Sequence, residues 1–593
     1  MMKLLRLLLV IASALLLSLA YPPVDLGILV WVWMFPLLFA LWSGPTAPTP
    51  VKKWKRRLEW LKPFSLGWIC GFVFFVNNLS WIRHSSRVIY GAKGNEWMGW
   101  SVELMGWGAV VGLSGIIAVY WGLWAAFAAT IGKPRLTGML GASKKGQNDF
   151  AMFGLSLESL RCAFLNAAAW SACEWLRGTL FSGFGWNGLG VPLISELALV
   201  QSADIVGING LSFLPVFCAC ILYNTVLRFQ EEVRTSWVRP HLDFFVGVLL
   251  LLGDFAYGFR ILSAPPPPQS ETVPLRVLLV QLNVPQSDAF LVHSFAGGQN
   301  DERRRQKADE IRRGYESITQ KFVVQGLQQT DLVIWPESAL PHPLYDPSDN
   351  PFVQRVLSLG DFSLLTGVDI WLPDEPGYTG AVLLHGDLNS AQIYRKVHLV
   401  PFGEYLPGRS IPLVEKLLGD VLPGDFASGA STEPLKLARP AGVQIIPLVC
   451  FEDTVGGLAR QFIRQAPQLL VNCTNDGWFL RSIQNEQHLM NARFRCIELR
   501  RPMARAANTG VTGFIGSDGR MNHEDRLEGA KTGSVFVKGA KPKELQLLKN
   551  PPMTFYAEHG DLFSMVMLGI SLLAVPLTII MRPRSPKPVT APE

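Results

Sequence analysis

Long apolar stretches separated by short polar loops fill the first 262 residues of the chain. Seven lie there and an eighth lies near the end, at approximately 5–20, 24–45, 66–84, 102–130, 161–181, 200–227, 243–262 and 562–581. Most of them reach the roughly 20 residues that a helix needs to cross about 30 Å of hydrocarbon. The pattern therefore predicts a polytopic α-helical membrane domain with about eight spans.

The first apolar stretch has a second interpretation. Lys3 and Arg6 precede its apolar core, an order that is also typical of a secretory signal peptide. We favour an uncleaved first span, because another apolar stretch follows almost at once. Either interpretation places the later polar region on the same side of the membrane.

The basic residues of the loops predict the orientation of the spans, because short loops rich in Lys and Arg usually stay in the cytoplasm. The loop 46–64 contains "VKKWKRRLEWLK" and is the most basic, whereas the loop 181–199 has no Lys or Arg. The loop 83–100 carries three basic residues and fits the alternation less well. The pattern predicts both termini in the cytoplasm and the large polar region outside it.

That polar region has the pattern of an α/β domain behind a stiff linker, "SAPPPPQSE". Strands alternating with helices predict a layered α/β sandwich. We expect a transmembrane domain of seven spans at 1–263, an extracytoplasmic α/β domain at 264–557, and a last span with a cytoplasmic tail at 558–593. Short apolar runs predict strands at 275–283, 331–338, 362–370, 442–450 and 468–476. Segments with apolar residues at every third or fourth position predict helices at 301–328 and 482–501.

Composition agrees with a membrane protein and narrows the function. Hydrophobic residues make up 49% of the chain and charged residues 17%, less charge than a soluble enzyme of this length carries. The net charge is +7, but many basic residues lie in the short loops, so we expect no nucleic-acid partner. No cysteine spacing indicates a zinc site, and we expect no metal and no cofactor. We interpret His398 and His488 as polar packing residues. For Cys473 and Cys496 we favour two buried thiols over a disulfide.

Three candidate reactive residues follow or lie close to predicted strands. Glu337 follows "LVIW", Lys396 lies in "YRKVHLVPFGEYLP", and Cys450 ends "VQIIPLVC". In open α/β sheets, ligands gather beyond the carboxyl ends of strands. A thiol could attack a carbonyl there, a carboxylate could take the thiol proton, and an ammonium could stabilise the oxyanion. Each residue alone also has an ordinary structural explanation, and spacing alone does not show that the three meet.

The motifs around these residues resemble a known family. "WPES", "KVHLVPFGEYLP" and "VCFED", in this order, resemble the signatures of the carbon–nitrogen hydrolase (nitrilase) superfamily. "WPESALP", "LVPFGEYLP", "NDGWF" and "RPMARAANTGVTGFIGSDG", in a chain with eight predicted spans, resemble the apolipoprotein N-acyltransferase family more specifically. "EWLRGTLFSGFGW" resembles that family's membrane segment. The resemblance implies an αββα sandwich at 264–557 with a Glu-Lys-Cys triad.

The resemblance also implies a role for each site residue. Glu337 would be the general base, Cys450 the nucleophile and Lys396 the cation that stabilises the oxyanion. Glu404 would be a second essential carboxylate, which holds Lys396 or shuttles a proton. Glu452 matches a further position that the family needs.

Two positions depart from the family pattern. Phe451 stands where the best-known members have tyrosine, so either a hydroxyl is missing from the chemistry or the ring only packs. The family also uses a tryptophan just before the soluble domain, and residues 240–270 contain none.

The activity implied by the resemblance is an N-acyl transfer with an acyl-enzyme intermediate in a ping-pong reaction. A fatty acyl chain would move from a membrane phospholipid, through a Cys450 thioester, to the α-amino group of the N-terminal diacylglyceryl-cysteine of apolipoproteins, the last step of bacterial lipoprotein maturation. The enzyme would be a multi-pass monomer of the bacterial inner membrane with a periplasmic catalytic domain. A membrane-tethered amidase acting on small amides, or a transporter or receptor whose outer domain only binds, are the alternatives.

Two features of the predicted membrane domain stay open. Glu174 and Arg177, three residues apart, are either functional charges or a pair that satisfies itself. The uncharged loop "FSGFGWNGLG", residues 181–190, is either a lining of the lipid entry or an interfacial anchor.

Overall fold

The computed structural model describes residues 2–43, 59–92, 99–136, 149–235, 241–293, 301–324, 329–418, 425–530 and 533–580. Most of the basic loop 46–64 and the tail after residue 580, on which the predicted orientation partly depends, lie outside these residues.

Helices make up the described part of the first 262 residues. They are α1 Met2–Ser18, α2 Met34–Trp42, α3 Leu61–Asn78, α4 Arg83–Ala92, α5 Gly99–Thr130, α6 Asp149–Thr179, α7 Leu197–Val200, α8 Ala203–Leu211, α9 Phe213–Thr235 and α10 Leu242–Leu262.

By length and apolar character, three helices among the described residues could cross a membrane: Trp100–Thr130, Phe213–Arg234 and Leu242–Leu262. A fourth candidate is the pair Leu61–Asn78 and Ser80–Val88, which is bent by 47°. The structure therefore supports several spans, while the number eight stays a prediction.

Aromatic rings fill the interior of the helix bundle. The rings of Trp33, Trp121 and Trp170 lie 5.0–5.6 Å apart, and Trp124 meets Trp170 edge-on at 4.9 Å. α10, by contrast, exposes many large apolar side chains, and only 11% of its most apolar segment is buried inside the protein. Apolar rings inside and apolar side chains outside are what a helix bundle in lipid requires.

Two β-sheets follow the helices. The strands are β1 Thr272–Gln281, β2 Leu332–Trp335, β3 Ser363–Ile370, β4 Tyr378–His385, β5 Asp387–Arg395, β6 Leu435–Lys436, β7 Gln444–Val449, β8 Gln468–Thr474, β9 Met503–Ala507, β10 Gly513–Ile515 and β11 Gly539–Leu548. One sheet has the order β11-β1-β2-β3-β4-β5 and the other β10-β9-β8-β7-β6. β1, β2 and β3 run parallel, as do β7, β8 and β9, so the carboxyl ends of each group share one edge. The five predicted strands correspond to β1, β2, β3, β7 and β8.

The two sheets pack face to face between layers of helix. The helices are α11 Gln286–His293, α12 Asp301–Val323, α13 Asn350–Leu357, α14 Pro412–Leu418, α15 Gly456–Ala459, α16 Gln484–Leu499 and α17 Phe555–His559. Leu279 and Ile334 of the first sheet share one core with Leu448 of the second. Their neighbours Val280 and Val333 point the other way, to a core with α12 and α13. The predicted αββα sandwich is confirmed.

Helix α16 belongs to both parts of the chain. Fourteen of its 16 residues are buried. Leu489 and Ala492 belong to the core that includes the strands of the second sheet, whereas Met490, Phe494 and Ile497 lie in the core of the helix bundle. The last helix, α18 Leu562–Ile580, also packs on the bundle. The sandwich is therefore held against the helices through its own outer layer.

Candidate active site

The three candidate reactive residues meet at one edge of the sandwich. Glu337 follows β2, Lys396 follows β5 and Cys450 follows β7. The Glu337 carboxyl lies within hydrogen-bonding reach of the Cys450 thiol, and the Lys396 ammonium interacts electrostatically with both. Gly367 on β3 makes room for this, because a Cβ there would lie 2.5 Å from the Cα of Glu337. The fold thus brings together residues that are up to 113 positions apart in the sequence.

Glu337 has the environment of a base. Burial raises the pKa of its carboxyl to about 7, although the charge of Lys396 acts in the opposite direction. Its Oε2 atom is buried and has no hydrogen-bond partner among the described residues. A carboxyl that titrates near neutral pH and keeps one oxygen unoccupied can take up a proton and release it again.

Lys396 is fully buried and is held by Glu404. Its Nζ donates to Glu404 Oε1 at 2.6 Å, and the other Glu404 oxygen accepts from the backbone N–H of Val400 at 2.7 Å. Burial lowers the pKa of Lys396, but Glu404, Cys450 and Glu337 raise it, and the net pKa lies above its ordinary value. The side chain is therefore a permanent ammonium beside the thiol.

Cys450 begins a tight turn, residues 450–454, which we call the nucleophile turn. Its backbone has φ +52°, the left-handed region, which is strained for a residue with a side chain. Burial raises the pKa of the free thiol, with a further contribution from the charge of Glu337, while Lys396 lowers it. The resting group is a thiol, so a base must take its proton before it can attack.

Glu452 fastens the nucleophile turn to the loop that carries Lys396. One carboxylate oxygen accepts from the Tyr394 hydroxyl and from the backbone N–H groups of Val397 and His398, at 2.8–2.9 Å. The other accepts from the Val449 N–H at 2.8 Å. Glu452 is fully buried. It therefore fixes the distance between the nucleophile and the ammonium.

Phe451 is packed among rings from three segments. It stacks on Trp186 at 6.0 Å with an angle of 7° between the ring planes, on Phe184 at 5.9 Å, and on His398 at 5.8 Å. Trp186 in turn packs on Trp81. Tryptophans thus flank the site, although they come from the helix bundle and not from residues 240–270.

Glu174 and Arg177 each hold the aromatic loop 181–190 in place. Glu174 accepts from the Leu189 N–H at 2.8 Å and also from Trp170 and Ser212, while Arg177 donates to the carbonyls of Phe184 and Trp186 at 2.9 and 2.7 Å. At the tip of the loop, the Ser182 and Tyr405 hydroxyls share a hydrogen bond. The two charges therefore position the rings that pack on Phe451.

A set of buried charged residues behind Cys450 was not predicted as part of the site. It consists of Asp453, Asp476, His488 and Arg505, and it shows that the polar packing expected of His488 is a network of buried ion pairs. The sequence signal that could have revealed this set is the presence of charged residues in otherwise buried segments. They are the acids of "CFEDT" and "NDGW" and the arginine of "MARAA". Among the described residues, no group of three or more His, Cys, Asp or Glu side chains is placed to hold a metal ion.

Two family models match the chain. Residues 13–221 match the apolipoprotein N-acyltransferase N-terminal domain, and residues 305–535 match carbon-nitrogen hydrolase. An apolipoprotein N-acyltransferase of Geobacter metallireducens is 29% identical over 567 residues, 94% of this chain and 92% of that protein. One of Rhizobium rhizogenes is 30% identical over 516 residues, 84% of this chain and 82% of that protein. The chain belongs to the apolipoprotein N-acyltransferase family.

Membership of the apolipoprotein N-acyltransferase family makes the protein an acyltransferase of the carbon–nitrogen hydrolase superfamily, and it agrees with a membrane location. The matched regions include the candidate site and the aromatic loop. The effect of phenylalanine in place of tyrosine at position 451 can therefore be tested by measuring acyl transfer.

We predict that Phe451→Tyr changes the initial rate of acyl transfer by no more than a few-fold, because the Phe451 ring is held by stacking on the rings of Phe184, Trp186 and His398. Phe451→Ala should slow transfer strongly and lower the unfolding temperature, since removal of a buried Phe costs about 3–5 kcal/mol. The exposed Phe555 gives a matched control, Phe555→Ala. A gain of ten-fold or more in Phe451→Tyr would mean that the missing hydroxyl takes part in the chemistry.

Proposed function

We propose that the protein transfers a fatty acyl chain from a membrane phospholipid, through a thioester on Cys450, to the N-terminal amine of a diacylglyceryl-modified apolipoprotein. This would be the last step of bacterial lipoprotein maturation. The observation that carries the proposal is that Glu337, the fully buried Lys396 and Cys450 meet on a sandwich whose outer helix is packed into an apolar helix bundle. The names of the relatives supply the acceptor class.

In the first half of the reaction, Glu337 takes the proton of the Cys450 thiol, and the thiolate attacks an ester carbonyl of the phospholipid. The Lys396 ammonium and a backbone N–H stabilise the oxyanion that forms. The carbon–oxygen ester bond then breaks, Glu337 gives its proton to the leaving oxygen, and a lysophospholipid departs. The acyl group remains on sulfur.

In the second half, the α-amino group of the apolipoprotein attacks the thioester carbonyl. Glu337 accepts the proton that the amine loses, the carbon–sulfur bond breaks, and the thiolate of Cys450 regains that proton. The product is an amide. A thioester is a more reactive acyl donor towards amines than the original ester, so two easier steps replace one slow step. Burial of the site disfavours attack by water.

Two further carboxylates support these steps without touching the reacting atoms. Glu404 keeps Lys396 charged and aimed at the site through its 2.6 Å hydrogen bond. Glu452 keeps the nucleophile turn and the Lys396 loop in register. Loss of an oxyanion-stabilising group typically lowers kcat by about 10²–10³-fold. Replacement of Lys396 by an uncharged residue should therefore lower kcat by a similar factor.

The proposed setting is the inner membrane of a bacterium, with the protein acting as a monomer. Residues 1–263 would supply seven spans, 264–557 the periplasmic catalytic domain, and 558–593 the last span and a cytoplasmic tail. The distribution of basic loops supports this orientation. Because both substrates are anchored by acyl chains, a site held at the bilayer can reach them without extracting them.

The orientation can be tested by labelling introduced cysteines in cells whose outer membrane is permeabilised. A membrane-impermeant maleimide should label Arg439→Cys, because residue 439 is exposed on the sandwich. Glu59→Cys, in the predicted cytoplasmic loop, is the matched control and should react only after lysis. Labelling of residue 59 alone before lysis would reverse the orientation.

The thioester can be tested by intact-protein mass spectrometry after incubation with phospholipid. We expect a mass increase of one fatty acyl group that hydroxylamine removes and that Cys450→Ala lacks. Cys218→Ala, which removes a thiol of the helix bundle, should keep it. A diacylated lipopeptide should then discharge the adduct. Absence of the adduct together with ammonia release from small amides would favour a membrane-tethered amidase instead.

The pH dependence should report Glu337. Its pKa of about 7 lies above the ordinary carboxyl value because of burial, and only the deprotonated form can accept the thiol proton. We expect the single-turnover rate of Cys450 acylation to rise with pH to a midpoint near 7, and Glu337→Gln to abolish acylation. A rate that falls between pH 6 and 8 would contradict this assignment.

A further inference from the structure

Four buried charged side chains lie directly behind the nucleophile turn. His488 Nε2 lies 2.9 Å from Asp453 Oδ1, and His488 Nδ1 lies 2.9 Å from Asp476 Oδ1. Arg505 donates to Asp453 Oδ2 at 2.5 Å and to Asp476 Oδ2 at 3.2 Å. None of the four side chains is more than 1% exposed. Two carboxylates and two cations form a closed, buried ring of ion pairs.

The two carboxylates favour a proton on both ring nitrogens of His488. Nε2 faces Asp453 Oδ1, while Nδ1 faces Asp476 Oδ1 at 2.9 Å and also Arg505 Nη2 at 3.0 Å. A ring protonated at both nitrogens donates to both carboxylates, which can only accept. Burial lowers the pKa of His488, but Asp453 and Asp476 raise it to about 9 overall, although Arg505 opposes them. The group is an imidazolium at neutral pH. As such it balances the charge of the cluster.

The cluster is connected to Cys450 from two sides. Asp453 belongs to the nucleophile turn itself. On the other side, Arg505 donates to Asn472 Oδ1 at 2.6 Å, and Asn472 Nδ2 donates to the carbonyl of Cys450 at 3.1 Å. A left-handed residue such as Cys450 persists only where its surroundings over-determine it. The hydrogen bonds of the cluster supply that restraint.

The surrounding chain keeps the cluster closed. A Cβ at Gly510, which has φ +112°, would lie 2.7 Å from Asp476 Oδ2, so a side chain there would displace the carboxylate. The Trp186 ring of the aromatic loop covers His488, with 5.4 Å between ring centroids. Water therefore cannot replace a hydrogen bond that the imidazolium loses.

We infer that the His488 imidazolium is a positioning residue for acylation, because it holds the nucleophile turn through Asp453 and through the Arg505–Asn472 link to Cys450. The inference rests on the proposed function. Removal of the Nδ1 proton would leave a neutral ring that still donates to Asp453 but turns a lone pair towards the Asp476 carboxylate. The cluster would then lose one of the hydrogen bonds that restrain the turn. Acylation would then slow at alkaline pH.

Three charged groups face His488 and set the pH of this loss. Asp453 comes from the nucleophile turn, Asp476 from the end of β8 and Arg505 from β9. The pKa of His488 is higher in the folded protein than its ordinary value of 6.5. Its contribution to stability is therefore complete below pH 6.5 and is lost as the pH rises to about 9.

The test is the single-turnover rate of Cys450 acylation from pH 6 to 10, followed by intact-protein mass spectrometry. The native protein should lose rate with a midpoint near pH 9. Asp476→Asn removes one carboxylate and should move this midpoint down by about 1–3 pH units. His488→Gln should be roughly 10²-fold slower throughout and show no alkaline fall. The control His523→Gln alters an 86% exposed histidine and should behave like the native protein.

Each result decides a different point. If the native protein shows no alkaline fall, or the fall persists unchanged in His488→Gln, the positioning role is wrong. If His488→Gln does not fold, the shift in Asp476→Asn decides alone, and an unshifted midpoint overturns the inference. If the native protein forms no acyl-enzyme at any pH while it remains folded, the proposed function itself fails.

Discussion

Burial of an ammonium ion costs several kcal/mol unless opposite charge surrounds it, and the fully buried Lys396 meets this condition through Glu404 and Glu337. The same dry surroundings that make Lys396 costly raise the pKa of Glu337 into the range of a useful base. They also keep the Cys450 thiol protonated until substrate arrives. The reactivity of the site thus derives from one constraint, the low exposure to water of three ionisable groups, of which Lys396 is fully buried and Glu337 and Cys450 are half-buried.

The rigidity of the site derives from hydrogen bonds to backbone groups. Glu452 accepts from three backbone N–H groups of two segments, and Arg177 donates to two carbonyls of the aromatic loop. These charged side chains take the place of regular secondary structure where loops must hold a fixed shape. The helix bundle thereby contributes rings to the wall of a site whose reactive atoms all come from the sandwich.

The sequence pattern was sufficient to predict a layered sandwich and to place Glu337, Lys396 and Cys450 at or near strand ends, because strand periodicity and strand ends are local properties. That the three residues belong to one site came from the family resemblance of their motifs, because spacing carries no information on which strand ends meet. The partners of His488 could not be predicted, since Asp453 lies 35 positions away and Arg505 is brought close only by the pairing of β8 and β9. Hydropathy also missed that the stretch 200–227 is divided between α8 and α9. It missed too that α8 itself is kinked at Gly207, which has φ +67° and packs against Tyr556.

Helix α16 has apolar residues on both faces, and each face completes a different core. In a soluble hydrolase, the outer helix of such a sandwich would turn a polar face to water. Here Met490, Phe494 and Ile497 occupy that face. The helix bundle and the sandwich consequently share one helix between their interiors, so separating them would expose apolar surface on both.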